Sequence, residues 1–323
     1  MVLIFFLPDA NVAHADGEVA TVPVGNSPWG VAFDSANGNI YVTNYESNTV
    51  SVIDGSTNTV IATVPVGAGP RGVAFDSANG DVYVANGGSD TVSVIDGSIN
   101  MVVSTVAVGV GPRGVAFDSS NGDLYVANSG SGTVSVISGS TNMVVSTVAV
   151  GVGPRGVAFD SANGNIYVAN YESNTVYVID GSTNTVVATV PVDSGPEGAA
   201  FDSANNDVYV TNQFSNTVSV IDGLSNTVVA TVPVGSAPEG VAFDSANGNI
   251  YVANGGSDTV SVIAPSSMPT SSTSTTSSTT TPGATGSSGR ANPDYTVYIG
   301  AGVALAVAVL AAAVILRRRK VAV

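Results

Sequence analysis

The chain contains no cysteine, and its one histidine, His14, lies close to the N-terminus. Thiolate nucleophiles, disulfides, imidazole-based triads and histidine-ligated zinc all depend on these two residue types. The sequence therefore excludes those chemistries in practice, and any catalysis would have to use carboxylates, hydroxyl groups or a bound hard cation. We predict no catalytic residue, no metal site and no cofactor.

Charged side chains are also scarce, at 10% of the 323 residues, and the basic ones are the scarcest. Eight Lys and Arg residues stand against 24 Asp and Glu residues, which gives a formal net charge of -16. Five of the eight basic residues fall in the last 34 positions, so the rest of the chain is strongly acidic. Such a surface repels phosphate backbones, and nucleic acid is not expected as a partner.

Repetition dominates the remainder of the sequence. The phrase Tyr-Val-(Thr/Ala)-Asn recurs every 42 residues without slippage, at Tyr41, Tyr83, Tyr125, Tyr167, Tyr209 and Tyr251. A fixed period of this length is typical of a repeat architecture. The 44% of hydrophobic residues is ample for a large core, and the 37 glycines fit a fold with many tight turns.

Within one copy, short β-branched runs alternate with turn residues. The copy that begins at Gly30 predicts four strands, at Val31–Phe33, Asn39–Asn44, Thr49–Ile53 and Thr59–Val66. Asn-Gly, Ser-Asn and Asp-Gly-Ser-Thr-Asn sequences separate them, and no run has a helical period. Four antiparallel strands in each 42-residue copy predict a blade of a β-propeller.

The two ends of the array are offset by one strand. Residues 17–25 read like a fourth strand, whereas the sixth copy stops after its third strand, at Ile263. We expect the N-terminal strand to complete the last blade and close the ring, which would cover two exposed sheet edges. The predicted fold is therefore all-β, a closed six-bladed β-propeller over residues 16–265.

The repeated phrases resemble a known family. Tyr-Val-Thr-Asn at 41–44 and 209–212, with Asn-Thr-Val-Ser-Val-Ile-Asp at 48–54, is similar to the YVTN β-propeller repeat of archaeal and bacterial surface-layer and surface-antigen proteins. The Gly-His and Trp-Asp signatures of another propeller repeat are absent. The resemblance covers residues 16–265 and implies an extracellular binding or structural role, without a particular activity.

Both flanks of the repeats have the composition of trafficking segments. Residues 1–15, an apolar run followed by Ala-His-Ala, predict a signal peptide with a truncated or misplaced start, the alternative being a stray extension. The Ser/Thr-rich residues 266–294 predict a disordered stalk. The uncharged residues 295–316 predict a transmembrane helix, and the basic tail at 317–323 is expected in the cytoplasm, which leaves the repeats outside the cell.

One position changes its chemistry between copies that are otherwise nearly identical. It precedes the glycine of the first strand and holds Trp29, Arg71, Arg113, Arg155, Glu197 and Glu239. Because the innermost strand follows directly, these side chains are expected to ring the mouth of the channel. A second variable loop, with Tyr45, Tyr171 and Phe214 among its residues, lies on the same face. Aromatic rings beside a charged mouth suit a sugar or peptide, and we predict ligand binding there.

The alternative for this ring is internal neutralisation. In a six-fold ring Arg71 would face Glu197 and Arg113 would face Glu239, so that opposite charges cancel across the channel. Arg155 would then face Trp29. The two interpretations are left open at this point.

A second set of repeated side chains lies on the opposite face. Asp34 and its equivalents Asp76, Asp118, Asp160, Asp202 and Asp244 each begin the sequence Asp-Ser-(Ala/Ser)-Asn. Calcium would accept such oxygen ligands, but the spacing is sparser than in known calcium loops. Capping of the hairpin turn explains the same residues better.

The whole organisation predicts a membrane-anchored surface protein that is not an enzyme. It would serve as an envelope, adhesion or ligand-binding module, with cell-envelope components, glycans or proteins as partners. The alternative is an extracellular enzyme or sensor that acts on a small anionic or glycan ligand at the channel mouth. Glycoside hydrolysis would need two acids singled out from the repeat pattern, and Glu197 and Glu239 are the only acids at the rim position.

Overall fold

Residues 20–264 are the part of the chain that the computed structural model describes, and they form 23 strands without a helix. Blade 1 contains β1 (Pro28–Phe33), β2 (Asn39–Asn44), β3 (Thr49–Asp54) and β4 (Thr59–Pro65). Blade 2 contains β5 (Pro70–Phe75), β6 (Asp81–Asn86), β7 (Thr91–Asp96) and β8 (Met101–Ala107). Blade 3 contains β9 (Pro112–Asp118), β10 (Asp123–Asn128), β11 (Thr133–Ser138) and β12 (Met143–Ala149).

The second half of the ring repeats this arrangement up to its last strand. Blade 4 contains β13 (Pro154–Asp160), β14 (Asn165–Asn170), β15 (Thr175–Asp180) and β16 (Thr185–Pro191). Blade 5 contains β17 (Pro196–Asp202), β18 (Asp207–Asn212), β19 (Thr217–Asp222) and β20 (Thr227–Pro233). Blade 6 contains β21 (Pro238–Asp244), β22 (Asn249–Asn254) and β23 (Thr259–Ile263).

Each blade is an antiparallel meander in which consecutive strands are neighbours. The turns use the residues that the sequence supplies for a left-handed backbone, such as Gly38 at φ 80° and Asn58 at φ 55°. The predicted strands agree with the observed ones to within a few residues. The all-β, six-bladed propeller is thereby confirmed.

The core lies between blades. Val50 and Val52 of β3 pack against Val82 and Val84 of β6 in the next blade, and all four are fully buried or nearly so. Burial of such a side chain contributes about 1.5–3 kcal/mol. Equivalent clusters fill the following junctions, so alternation along each strand serves two neighbouring blades at once.

The tyrosine of each repeated phrase also joins two blades. The Tyr125 hydroxyl donates to Asn184 Oδ1 at 2.9 Å and lies 3.1 Å from the carbonyl oxygen of Gly181, both in the hairpin of the next blade. Asn121 Nδ2 donates to the same carbonyl at 3.0 Å. We call this arrangement the tyrosine clasp. It recurs at four junctions, through Tyr41, Tyr83, Tyr125 and Tyr167.

The last junctions of the described chain lack the clasp. Tyr209 receives a hydrogen bond from Asn205 of its own blade, and the positions equivalent to Gly181 and Asn184 lie outside the described residues. Tyr251 likewise receives one from Asn247, and it donates none to Gly55 or Asn58, the equivalent positions of blade 1.

The junction between blades 6 and 1 is packed differently from the other five. In blades 1–5, a Cβ on the glycine of the innermost strand would collide with a carbonyl oxygen of the next blade, whereas at Gly240 it would meet only Ala253, at 4.0 Å. Val260 and Val262 of β23 are 43% and 56% exposed, although the equivalent valines of blade 1 are buried. The described sheet of blade 6 has three strands, and residues 20–24 are not in a strand.

The predicted segments at the two ends fall outside the described residues. These are the signal peptide at 1–15, the stalk at 266–294, the transmembrane helix at 295–316 and the tail at 317–323. Within residues 20–264 there is no helix of the length and hydrophobicity that crossing a bilayer requires.

The clasp generates a stability prediction. Tyr125→Phe should lower the free energy of unfolding by about 1–3 kcal/mol, because Asn184 Oδ1 loses its donor inside the junction. Tyr177→Phe is the matched control, since the Tyr177 hydroxyl makes no hydrogen bond within residues 20–264 and its removal should cost much less. Urea denaturation of both variants measures the difference. Equal losses would contradict the role assigned to the clasp.

Candidate functional site

The six variable rim residues come together at one end of the central channel. Trp29, Arg71, Arg113, Arg155, Glu197 and Glu239, with the glycines that follow them, line a cavity of about 230 Å³. A wider opening of about 420 Å³ above it is lined by the same six side chains and by Tyr45 and Gln213. The structure therefore places all six predicted residues in one ring, as the strand positions indicated. Whether they bind a ligand stays a prediction.

The rim is held in place from the preceding blade. Thr43 Oγ1 donates to the carbonyl oxygen of Arg71 at 2.7 Å, and Thr211 Oγ1 donates to that of Glu239 at 2.8 Å. In blades 1–5 the glycine after the rim residue lets the innermost strand approach the next one closely, because a Cβ there would collide with the neighbouring backbone. The backbone of the rim residues of blades 2–6 is thus fixed by the preceding blade, while their side chains project into the channel mouth.

Glu197 interacts with two of the three arginines of the rim. Its Oε2 accepts a hydrogen bond from Arg155 Nη1, and its Oε1 lies 3.8 Å from Arg113 Nη1. The guanidinium of Arg155 also lies over the ring of Tyr171, 3.2 Å from its centroid. Arg155 is therefore engaged on both sides, by a carboxylate and by an aromatic face.

Arg71 has a different environment. Its guanidinium lies 5.0 Å from the ring centroid of Trp29 and 5.0 Å from that of Tyr45. The two rings are 6.0 Å apart and tilted by 41° to each other. Within residues 20–264 no carboxylate pairs with Arg71, so its charge is met by aromatic faces alone.

Positive charge exceeds negative charge at this part of the rim. Burial, followed by repulsion from the nearby cations Arg71 and Arg155, lowers the pKa of Arg113 to about 10, while Glu197 acts in the opposite direction. Arg113 remains protonated at neutral pH, but under repulsion from its neighbours. An anion bound between Arg71 and Arg113 would relieve that repulsion.

The predicted pairing across the channel is wrong. Within residues 20–264 no ion pair joins Arg71 to Glu197, and the acid beside Arg113 is Glu197. Glu239 accepts a hydrogen bond from Gln213 Nε2 at 3.3 Å. The physical reason is distance, because neighbouring innermost strands are in van der Waals contact, whereas opposite ones are separated by the channel cavity. Neutralisation is therefore concentrated on Glu197, which pairs with Arg155 of the neighbouring blade and lies near Arg113, two blades away.

The second variable loop, which the sequence analysis placed on the same face, adds polar and aromatic residues beside the rim. Tyr171 and Phe214 pack with ring centroids 5.2 Å apart, and the Tyr171 hydroxyl donates to Gln213 Oε1 at 2.7 Å. Tyr45 and Gln213 line the opening directly. Variation between otherwise constant copies pointed to this loop as it did to the rim, whereas the contacts of its side chains with the rim could not be predicted from the sequence.

The repeated aspartates of the opposite face cap their turns. Asp34 Oδ1 accepts a hydrogen bond from the Ala36 amide at 2.8 Å, and the other five make the equivalent bond. The capping interpretation is confirmed. Among residues 20–264 no group of three or more acidic or histidine side chains is arranged to hold a metal ion.

Acidic side chains are crowded on that face in blade 5. Asp207 is in register with both Asp202 and Asp222. Burial, followed by repulsion from Asp222 and Asp202, raises the pKa of Asp207 to about 6. The two faces of the propeller therefore differ in electrostatics, since all three arginines of the described chain lie at the channel mouth.

Sequence profiles agree with a propeller of repeated blades. The NHL repeat matches residues 26–53 and 110–137, and each match covers the first three strands of a blade. The profile described as lactonase, 7-bladed beta-propeller matches residues 138–286, although the described chain has six sheets. A search of curated proteins finds no match.

A solved structure shows the same fold. The protein titled Kuenenia stuttgartiensis Hydrazine Synthase is similar with a TM-score of 0.53 and 20% sequence identity, over 77% of this chain and 99% of that one. At this identity the likeness concerns the fold alone. Together these matches support a β-propeller repeat protein.

Proposed function

We propose that this protein is a cell-surface, non-enzymatic binding module whose channel mouth takes an acidic glycan. The observation that carries the proposal is the arc of three arginines on consecutive blades of an otherwise acidic domain. Within that arc, Arg71 has no carboxylate partner among the described residues, and Arg113 is repelled by its neighbours. A carboxylate or sulfate between these two would satisfy both.

The aromatic residues favour a sugar over a simple anion. Trp29 and Tyr45 flank Arg71, and Trp29 is 37% exposed, so a sugar ring could stack beside its own acidic group. Guanidinium groups offer planar paired donors, which match the geometry of a carboxylate or a sulfate. Strand ends, not strand edges, form the rim, so a peptide would gain no main-chain pairing there.

The lactonase match is the observation that favours an enzyme as the alternative. Glu197 is poorly suited to act as a base, because it is hydrogen-bonded to Arg155 and close to Arg113. Glu239 is hydrogen-bonded to Gln213, and the other acid of the rim, Glu197, is already held by the arginines. Turnover of a panel of lactones or acidic glycosides by the purified protein would favour this alternative.

Ring closure by the N-terminal segment is part of the proposal. Val22 and Val24 pack against Ile40 and Val42 of blade 1. Val64 and Val66 of blade 1 occupy the same relation to Val82 and Val84 of blade 2. The segment therefore lies where a fourth strand of blade 6 would meet blade 1, and pairing with β23 would cover the exposed Val260 and Val262.

Anchoring at the cell surface completes the proposal. It rests on the sequence of residues 1–15 and 266–323 and on the resemblance to YVTN surface proteins, all of which concern the sequence alone. In this arrangement the stalk holds the acidic propeller away from the membrane, with the mouth accessible to envelope glycans.

The anion site is tested with Arg71→Gln/Arg113→Gln, in which Arg155 is kept because it supports Glu197. Each lost charge-assisted contact is worth about 1.5–3 kcal/mol, so the affinity for oligogalacturonate or sulfated oligosaccharides should fall about a hundredfold or more. Glu197→Gln changes the charge of the rim in the opposite direction. This variant should bind the acidic ligand several-fold more tightly, because the carboxylate that competes with the ligand for the arginines is removed. Isothermal titration measures both, with uncharged cello-oligosaccharides as the control. Unchanged affinity in the double arginine variant would contradict the proposal.

Closure of the ring is tested by disulfide trapping. Because the chain has no native cysteine, only the introduced cysteines can pair. In blade 1, Ser51 of β3 pairs with Thr63 of β4. If the N-terminal segment is the fourth strand of blade 6, the equivalent pair there is Ser261 with Thr21. Thr21→Cys/Ser261→Cys should therefore form a disulfide on mild oxidation, detected by mass spectrometry after proteolysis. Thr21→Cys/Ser219→Cys, with the second cysteine one blade away, is the control. Failure of the first pair to cross-link would rule out closure in this register.

The topology is tested with protease added to intact cells. Cleavage within residues 266–290 should release a soluble propeller fragment into the medium. If the fragment is obtained only after the cells are lysed, the propeller does not lie outside, and the surface assignment fails.

A further inference from the structure

Phe214 is an exposed aromatic residue that the fold does not need. It lies in the loop between β18 and β19 and is 65% exposed. The equivalent positions in the other five copies are Glu46, Gly88, Gly130, Glu172 and Gly256. Five of the six blades thus form the same loop without an apolar side chain at this position.

Packing beneath Phe214 does not account for it either. The ring covers Gly195, which has φ 73°. The equivalent glycines Gly69, Gly111 and Gly153 take up similar angles beneath other loop residues. The Phe214 ring packs against Tyr171 at a tilt of 56°, while most of its surface remains in contact with solvent.

The position of Phe214 connects it to the mouth. Its neighbour Gln213 lines the opening and accepts the hydrogen bond from Tyr171. The ring of Tyr171 in turn contacts the guanidinium of Arg155. A continuous surface of cationic, polar and aromatic groups therefore runs from the arginine arc outward to Phe214.

The structure assigns a second sugar subsite to Phe214, which rests on the proposed function of the mouth. The ligand is then an extended acidic oligosaccharide and not a single sugar. Its acidic groups lie at Arg71 and Arg113, its chain passes Gln213, and a sugar further along stacks on the Phe214 ring. In blades 2, 3 and 6 the equivalent loop residues are glycine or serine, so these blades have no aromatic ring on which a sugar could stack.

The chemistry of the platform fits a sugar. A tilted pair of aromatic rings with one open face binds the C–H face of a pyranose, and the flanking amide of Gln213 can exchange hydrogen bonds with hydroxyl groups. Glu172 and Glu239 lie in the same region of the face, so an additional acidic group is disfavoured at this end. The chain is expected to carry its charge over the arginines and to present a weakly charged or neutral sugar to Phe214.

The test is how the binding affinity depends on the length of the oligosaccharide. It is measured by titration calorimetry on the full chain in detergent, with galacturonate oligomers of one to eight residues. A second series of the same oligomers carries methyl esters on the distal residues. Affinity should rise by about tenfold once the oligomer is long enough to reach Phe214, and most clearly in the esterified series. Phe214→Gly, which copies the loops of blades 2 and 6, should abolish that rise and leave the affinity for short oligomers unchanged. Leu224→Ser is the matched control, because Leu224 is 80% exposed on the opposite face and its equivalents in blades 1–4 are serine.

The outcomes separate the two proposals. If Phe214→Gly binds long oligomers as tightly as the parent while Arg71→Gln/Arg113→Gln does not, the second subsite is overturned and the anion site stands. If no oligomer of any length binds the parent, both are overturned. If poly-glutamate shows the same dependence on length and on Phe214, the ligand is an acidic peptide and the glycan assignment is overturned.

Discussion

A buried tyrosine hydroxyl that reaches from one blade into the hairpin of the next sets the geometry of this ring. The contact requires several residues at once: Asp118 to cap its own turn, Asn121 and Tyr125 to donate, and Gly181 and Asn184 to accept. A side chain at Gly181 would meet Asp118 Oδ2 at 2.7 Å, so the receiving hairpin must have glycine there. Because each clasp joins two successive blades through partners 56–60 residues apart, an insertion that shifts the strands of blade 2, 3 or 4 would misplace the clasps on both sides of that blade. This explains why the 42-residue spacing is constant.

The clasps lie on one face of the propeller, and this leaves the other face free to vary. At the channel mouth the backbone is fixed by close glycine contacts and by threonine hydroxyls, neither of which depends on the rim side chain. Tryptophan, arginine and glutamate can therefore occupy the same rim position without altering the fold. Differences between nearly identical copies are concentrated where they do not affect the junctions, and recognition residues are expected in such positions.

Most of the fold was predictable from the sequence, because strand length, turn chemistry and period all indicate the same structure. The rim was predictable for the same reason, since Trp29 and Arg71 precede a glycine of the innermost strand. The partners of the rim side chains were not. Long arginine side chains choose among several neighbours at similar distance, and six-fold symmetry says nothing about that choice. Arg155 stacks on Tyr171 of its own blade, and Arg71 lies against Trp29 and Tyr45, which no pattern of repeats encodes.

The order of charges around the rim has a physical consequence beyond any single pair. Alternating arginine and glutamate would cancel within each pair of blades, but here three arginines are followed by two glutamates. Glu197 lies at the boundary between the arginines and the glutamates and is hydrogen-bonded to Arg155. The remaining positive charge is thereby shifted toward Arg71 and Arg113, on the side of the channel that adjoins Trp29 and Tyr45. Internal neutralisation and ligand binding are therefore compatible, because pairing at one end of the arc leaves the other end cationic beside the aromatic rings that a sugar would contact.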